Sequence, residues 1–252
     1  MKAKKSLGQN FLKSGIALKK IIEAGEIKPA DVILEIGPGQ GVLTKKLLER
    51  AGLVIAVEKD HEFFKFLKIK FEKEITGKKL ILINNDILKF NISKLRNYKI
   101  IANIPYNITG AILKKFLTEK NQPISMVLMV QYEVAKRIMA SNKKESLLSI
   151  SVKAYGEPKM IMKVPARYFS PKPKVDSAVI TIKNISNEIF KKNKINEEKF
   201  WEIVKAGFAH KRKKLSGNLK NIISCQGQSL AYLGDKRAED LSLTDWILLV
   251  KQ

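Results

Sequence analysis

The chain of 252 residues predicts an α/β protein: an open sheet of parallel strands with helices on both faces, then a small all-helical C-terminal domain. Three observations carry this. Short apolar runs alternate with segments of helical spacing from residue 14 to about 185. A glycine-rich turn joins the first strand run to the helix after it. Beyond Ile195 no strand pattern recurs. The boundary is placed between residues 186 and 187, and with 45% hydrophobic residues the chain can bury a core.

Ser14 is placed to cap a helix whose apolar positions Ala17, Leu18, Ile21 and Ile22 recur at helical spacing, with Pro29 as its stop. Residues 32–36 form a short apolar run, read as a buried strand. After the glycine turn, Leu43, Leu47 and Leu48 share a helix face. Residues 53–57 are the second strand, and Asp60 caps a helix carrying Phe63, Phe64, Leu67 and Phe71. Residues 80–83 and 99–102 are the third and fourth strands, 109–117 a helix, 124–130 the fifth strand and 132–139 a helix. Leu147, Leu148, Ser151, Ala154 and Tyr155 share a helical face, whereas Leu148, Ile150 and Val152 alternate as in a strand; helix is preferred. The last strands, 160–164 and 175–182, are joined by the proline-rich Phe169-Ser170-Pro171-Lys172-Pro173. In the C-terminal domain, Phe200, Trp201, Val204 and Phe208 mark one helix, and Ser242 with Asp245 forms a capping box before the last.

Charge narrows the function classes. Lysine and arginine number 48 against 24 acids, a formal net charge of +24. Residues 1–20, 159–174 and 205–220 are basic stretches without an acid, as expected of one electropositive face that binds a polyanion. The plainer alternative is a scatter of solvated lysines without a partner. An anionic membrane is disfavoured, because Phe208, Leu215 and Leu219 make too narrow an apolar face. No apolar run reaches membrane-spanning length, and the first residues lack the apolar stretch of a signal peptide, so a cytoplasmic location is expected. One cysteine, Cys225, excludes an internal disulfide and any CxxC pair; with His61 and His210 as the only histidines, no metal site is expected.

Glu35-Ile36-Gly37-Pro38-Gly39-Gln40-Gly41 occupies the ligand crevice of an open α/β sheet. Glu58 ends the second strand 21 residues after Gly37, where a carboxylate can accept from both hydroxyls of a ribose. Any adenosine-containing cofactor would suit, a dinucleotide or S-adenosylmethionine. The third glycine of the dinucleotide fingerprint is Val42 here. Asp86, beyond the third strand, suits the exocyclic amine of an adenine, or else caps a turn.

Asn103-Ile104-Pro105-Tyr106 follows the fourth strand. It suits methylation of an amine whose lone pair is delocalised into a ring. The Asn103 side-chain oxygen and the Ile104 carbonyl can each accept one amine N–H, turning the lone pair toward a methyl group. Pro105 fixes the turn, and Tyr106 offers a face for the base, stacking being worth roughly 1–3 kcal/mol. The alternative is an ordinary Asx turn.

These segments resemble the ribosomal RNA adenine dimethyltransferases, a family with a small-subunit branch and a large-subunit antibiotic-resistance branch. The resemblance rests on Lys5-Ser6-Leu7-Gly8-Gln9-Asn10-Phe11-Leu12, the EIGPGQGVLT loop, Asn103-Ile104-Pro105-Tyr106-Asn107, residues 130–137 and FSPKPKVDS at 169–177. Residues 208–215 (FAHKRKKL) and Arg237-Ala238-Glu239 resemble the small-subunit branch, with Lys211-Arg212-Lys213 in place of the usual RRK. The resemblance implies a seven-stranded Rossmann-like class I methyltransferase sheet with a small helical domain, and S-adenosylmethionine as cofactor. It implies cofactor contacts at Asn10, Leu12, Gly37, Glu58, Asp86 and Asn103, with residues 1–13 closing over the cofactor. Catalytic roles are implied for Asn103, Ile104, Pro105 and Tyr106. Phe169 would form a second wall for the base, unless it packs in the core. RNA would dock on Lys211, Arg212, Lys213 and Lys214. The implied product is N6,N6-dimethyladenosine at two adjacent adenosines of 16S RNA in an immature 30S subunit, made by a monomer. A pure assembly-checkpoint role, large-subunit RNA and DNA adenine are the rival readings.

Overall fold

A computed structural model describes Lys4, residues 7–222 and residues 232–251; Lys5, Ser6 and Cys225, named above, lie outside these. The chain divides into two compact units, residues 1–135 with 157–185, and residues 136–156 with 186–252. The second unit therefore draws a segment, 136–156, from inside the range assigned by sequence to the first domain.

In the first unit a two-residue strand, β1 (Phe11–Leu12), precedes helix α1 (Gly15–Ala24). Ser14 caps α1 by accepting from the Ala17 N–H. The helix ends at Gly25, whose N–H turns back to Ile21, so Pro29 is not the stop. Strands β2 (Val32–Ile36), β3 (Leu53–Glu58), β4 (Leu80–Asn84), β5 (Tyr98–Asn103) and β6 (Ser125–Gln131) pair in parallel. Between them lie α2 (Val42–Leu48), α3 (His61–Lys70), α4 (Glu72–Thr76) and α5 (Thr109–Thr118). The apolar runs of β2, β3 and β6 are buried along their length, as expected of strands covered on both faces.

The sheet is completed by β7 (Glu157–Val164) and β9 (Ser177–Lys183), in the order β4-β3-β2-β5-β6-β9-β7. All seven strands expected from the resemblance are present. The sheet is not wholly parallel, however: β9 runs antiparallel to both β6 and β7. No crossover helix separates β7 from β9, so the chain returns as a hairpin. The connection holds β8 (Phe169–Ser170), which pairs antiparallel with β1.

Helix α6 (Tyr132–Met139) spans the division between the units, and the rest of the second unit is helical, with α7 (Leu147–Lys153), α8 (Glu188–Asn193), α9 (Glu197–Gly207), α10 (Leu215–Leu219) and α11 (Leu243–Val250). Helix wins over strand at α7 because Ser146 and Ser149 form a reciprocal capping box. The same box, with Ser242 and Asp245, opens α11. Tyr155, just after α7, meets Phe190 edge-on at 5.5 Å and takes a hydrogen bond from Trp201 Nε1 at 2.9 Å. This aromatic packing is why residues 136–156 belong with the C-terminal helices.

Candidate active site

The strand order reverses at β2, which lies between β3 and β5. Such a switch point opens a crevice at the carboxyl ends of the strands. A cavity of about 190 Å³ lies there, inside the first unit. Asn10, Leu12, Gly37, Glu58, Asp86, Asn103, Ile104, Pro105 and Tyr106 all line it. Residues separated by up to 96 positions in sequence thus share one cavity.

The glycine loop is held by Glu58. One carboxylate oxygen accepts from the Gly39 N–H at 3.0 Å, the other from the Asp60 N–H at 2.8 Å. Burial raises the Glu58 pKa, opposed by these backbone hydrogen bonds. Two glycines answer to close approach. A Cβ on Gly39 would lie 2.9 Å from the Phe11 ring, and one on Gly41 would lie 2.5 Å from the Phe71 ring. The first lets the opening segment lie on the loop; the second lets the end of α3 pack beneath it.

Around Gly37 the situation is the reverse: an added Cβ would meet nothing within 4 Å. Glu35, fully buried on the same wall, has an Oε2 without a hydrogen-bond partner in the protein, and burial pushes its pKa up to about 8. An open backbone cradle beside a buried carboxyl oxygen without a partner fits a ligand that brings a hydrogen-bonding group.

The opening segment covers this wall. Gln9 Nε2 donates to Asp60 Oδ2 at 3.0 Å, and Lys4 Nζ bridges Asp60 Oδ1 at 3.1 Å and Glu62 at 3.1 Å. Burial would raise the Asp60 carboxyl, but Lys4 and Gln9 bring it below the usual range. Phe11 packs on Phe63 at 5.2 Å. Asp86 does two things. Its Oδ1 caps the following turn by accepting from the Leu88 N–H at 3.0 Å, and its Oδ2 pairs with Lys59 at 2.9 Å, which lowers its pKa. Lys59, directly after Glu58, also lines the cavity and is not among the residues that the sequence pointed to; its place next to the strand-ending carboxylate was the available signal.

At the other wall, Asn103 Nδ2 donates to the Asn10 carbonyl at 3.1 Å. The Tyr106 hydroxyl shares a 2.6 Å hydrogen bond with Ser177 Oγ, and burial raises the phenol's pKa. Phe169 does not join them. It is 4% exposed, pairs with Leu12 across β1 and β8, and belongs to the buried cluster with Val164 and Val179. Pairing with the opening segment packs this ring among core residues, the alternative the sequence also offered for Phe169.

Lys211, Arg212, Lys213 and Lys214 form the exposed turn between α9 and α10 in the second unit. Lys214 pairs with Asp235 at 2.8 Å, and in the first unit Lys163 pairs with Asp176 at 2.9 Å. The acid-free stretches are therefore partly neutralised by acids from elsewhere in the chain. Among the described residues, no cluster of three or more potential metal ligands occurs, and no helix is long and apolar enough to cross a membrane.

The family model of ribosomal RNA adenine dimethylases matches residues 1–252. A ribosomal RNA small subunit methyltransferase A of Dehalococcoides mccartyi is 40% identical over 98% of this chain and 87% of its own length. One from Fusobacterium nucleatum is 38% identical over 99% of this chain and 97% of its own. The crystal structure of a dimethyladenosine transferase from Plasmodium falciparum superposes with a TM-score of 0.82, at 27% identity over 95% of each chain. Matched along its whole length by the family model, and 40% identical to a relative over nearly all of its residues, the chain belongs to the ribosomal RNA adenine dimethylase family.

Proposed function

We propose that this methyltransferase uses S-adenosylmethionine to dimethylate the exocyclic amines of two adjacent adenosines in 16S ribosomal RNA. The observation that carries the reading is the Asn103 amide. Its N–H is spent on the Asn10 carbonyl, so its oxygen is the acceptor at the cavity. An amine placed there would give one N–H to Asn103 Oδ1 and one to the Ile104 carbonyl. Its lone pair, withdrawn from the ring, would then point at the methyl donor.

The bound cofactor supplies a methyl group on a positively charged sulfur. Glu58 is placed for the ribose hydroxyls, since each of its oxygens keeps a lone pair beyond its backbone hydrogen bond. Asp86, with Lys59 beside it, is placed for the adenine edge. Glu35 offers an unpartnered oxygen on the wall around Gly37, a hydrogen-bonding group for the cofactor. Tyr106 gives the target base a stacking face, which offsets part of the cost of taking it out of its helix, a few kcal/mol in order of magnitude. The nitrogen becomes acidic as it gains the methyl group and releases its proton afterwards, so no strong base is needed. Catalysis is then mostly alignment and the sheltering of a moving positive charge.

The partner that fits is 16S RNA within an immature 30S subunit, met by a cytoplasmic monomer through basic groups such as Lys211, Arg212 and Lys213. Mass mapping of adenosines in small-subunit and large-subunit RNA, after incubation with protein and cofactor, tests this. Two dimethylated adenosines in 16S RNA are expected. Modification confined to large-subunit RNA, or to DNA, would overturn the assignment.

A further inference from the structure

We propose that Ser177 is the positioning residue of the stacking wall: its hydroxyl fixes the ring of Tyr106, so that a flipped base meets a surface already set. This rests on the methyl-transfer reading above. Ser177 opens β9, where its backbone lies between Gln131 of β6 and Val164 of β7. Its side chain is 0% exposed. A buried hydroxyl without a partner is costly, and the partner of this one is the Tyr106 hydroxyl, 71 residues away in sequence and 2.6 Å away in space. The bond ties the far end of the phenol to the sheet. The backbone that carries the ring is fixed as well, since Thr109 Oγ1 donates to the Tyr106 carbonyl at 3.1 Å. A ring tied through its hydroxyl has already lost much of its rotamer freedom, so stacking a base has less of it to remove.

The support behind Ser177 is itself stapled. Asp176 Oδ1 accepts from the Ala166 N–H at 2.9 Å, Oδ2 pairs with Lys163 at 2.9 Å, and the backbone carbonyl accepts from the Tyr132 N–H at 2.9 Å. Three segments thus converge on the residue before Ser177. Because the Tyr106 oxygen is engaged there, the ring rather than the hydroxyl is what the cavity offers to a base. Ser177 therefore acts through Tyr106 and touches no reacting atom.

The test is a double-mutant cycle on the full-length protein with Ser177→Ala, Tyr106→Phe and the pair. Each single change deletes one hydroxyl and keeps the ring. The KM for 16S RNA is expected to rise about fivefold in each, the size of one lost hydrogen bond, with S-adenosylmethionine affinity unchanged. The double variant should be no worse than either single one. A 2-aminopurine at the target position, quenched by stacking in the wild-type complex, should brighten in every variant. An unchanged KM and fluorescence, or additive effects in the double variant, would overturn the role. If Ser177→Ala fails to fold, Tyr106→Phe breaks the same bond from the other side and the same two readouts decide. A wild-type protein that transfers no methyl group overturns the parent reading together with this role; an active wild type with indifferent variants overturns this role by itself.

Discussion

Asn103, at the end of β5, donates its side-chain N–H to the backbone carbonyl of Asn10, which lies 93 residues earlier in the opening segment. The bond engages one N–H of the amide. On the function proposed above, the side-chain oxygen is then the acceptor for the substrate amine. Asn103→Ala is expected to lower kcat by about 10²–10³, the usual cost of removing one preorganised transition-state hydrogen bond, while S-adenosylmethionine binding stays measurable by calorimetry. Asn103→Asp should do no better, because a carboxylate cannot donate to Asn10.

The two Glu58 oxygens that hold the glycine loop are the same two proposed to meet the ribose. In Glu58→Gln, the new amide nitrogen would face either the Gly39 or the Asp60 N–H. A loss of about 1–3 kcal/mol is expected, seen as a lower Tm and at least tenfold weaker cofactor binding. Full retention of both would remove Glu58 from the ribose role.

Gly41→Ala tests the packing beneath the loop. The added methyl group would lie 2.5 Å from the Phe71 ring and 2.8 Å from Leu67, at a residue with φ of 73°. Overpacking and left-handed strain together should cost about 2–4 kcal/mol, measured by denaturant unfolding.

Glu35 makes stability depend on pH in a definite direction. Its pKa in the folded state is raised by burial to about 8, from 4.5. The folded state then holds a proton that the unfolded chain has released, so the contribution is fully present below pH 4.5 and is lost as pH rises through 8. The Tm of the ligand-free protein should fall between pH 6 and about 8.5. Glu35→Gln, which has no proton to lose, should flatten that fall.

Charge reversal at Lys211, Arg212 and Lys213 should weaken RNA binding and leave cofactor affinity untouched. The slope of log affinity against log salt should shrink by about 0.7 for each phosphate contact removed. An unchanged slope would free these exposed residues from RNA docking.

Much of the first unit was legible from sequence. Buried parallel strands read as unbroken apolar runs, which located β2, β3 and β6, and Ser14, Asp60 and Ser242 announced their helices through capping chemistry. The cavity residues were legible because they cluster at strand ends, as Gly37, Glu58 and Asn103 do. Where the sequence misled, two physical states produced the same signal. Phe169 in a proline-rich connection reads alike as a base wall or as core, and only its pairing with Leu12 decides. Two-residue strands such as β1 and β8 carry no period to detect. The place of residues 136–156 depends on Tyr155 meeting Phe190 and Trp201, contacts far apart in sequence.

The ribbon of β1 and β8 is a latch. It pairs Phe11 with Ser170 and Leu12 with Phe169, and the Lys13 N–H adds a bond to the Tyr168 carbonyl at 2.8 Å. Each such bond is worth only about 0.5–1.5 kcal/mol net, a small part of the roughly 5–15 kcal/mol that holds a domain folded. Undoing it would also uncover Leu12 and Phe169, which are 9% and 4% exposed, so the opening segment is fastened by buried side chains as well as by hydrogen bonds. Gly8, Gln9 and Asn10, just before this fastening, line the cavity, so whatever enters there meets a wall anchored to the connection between β7 and β9.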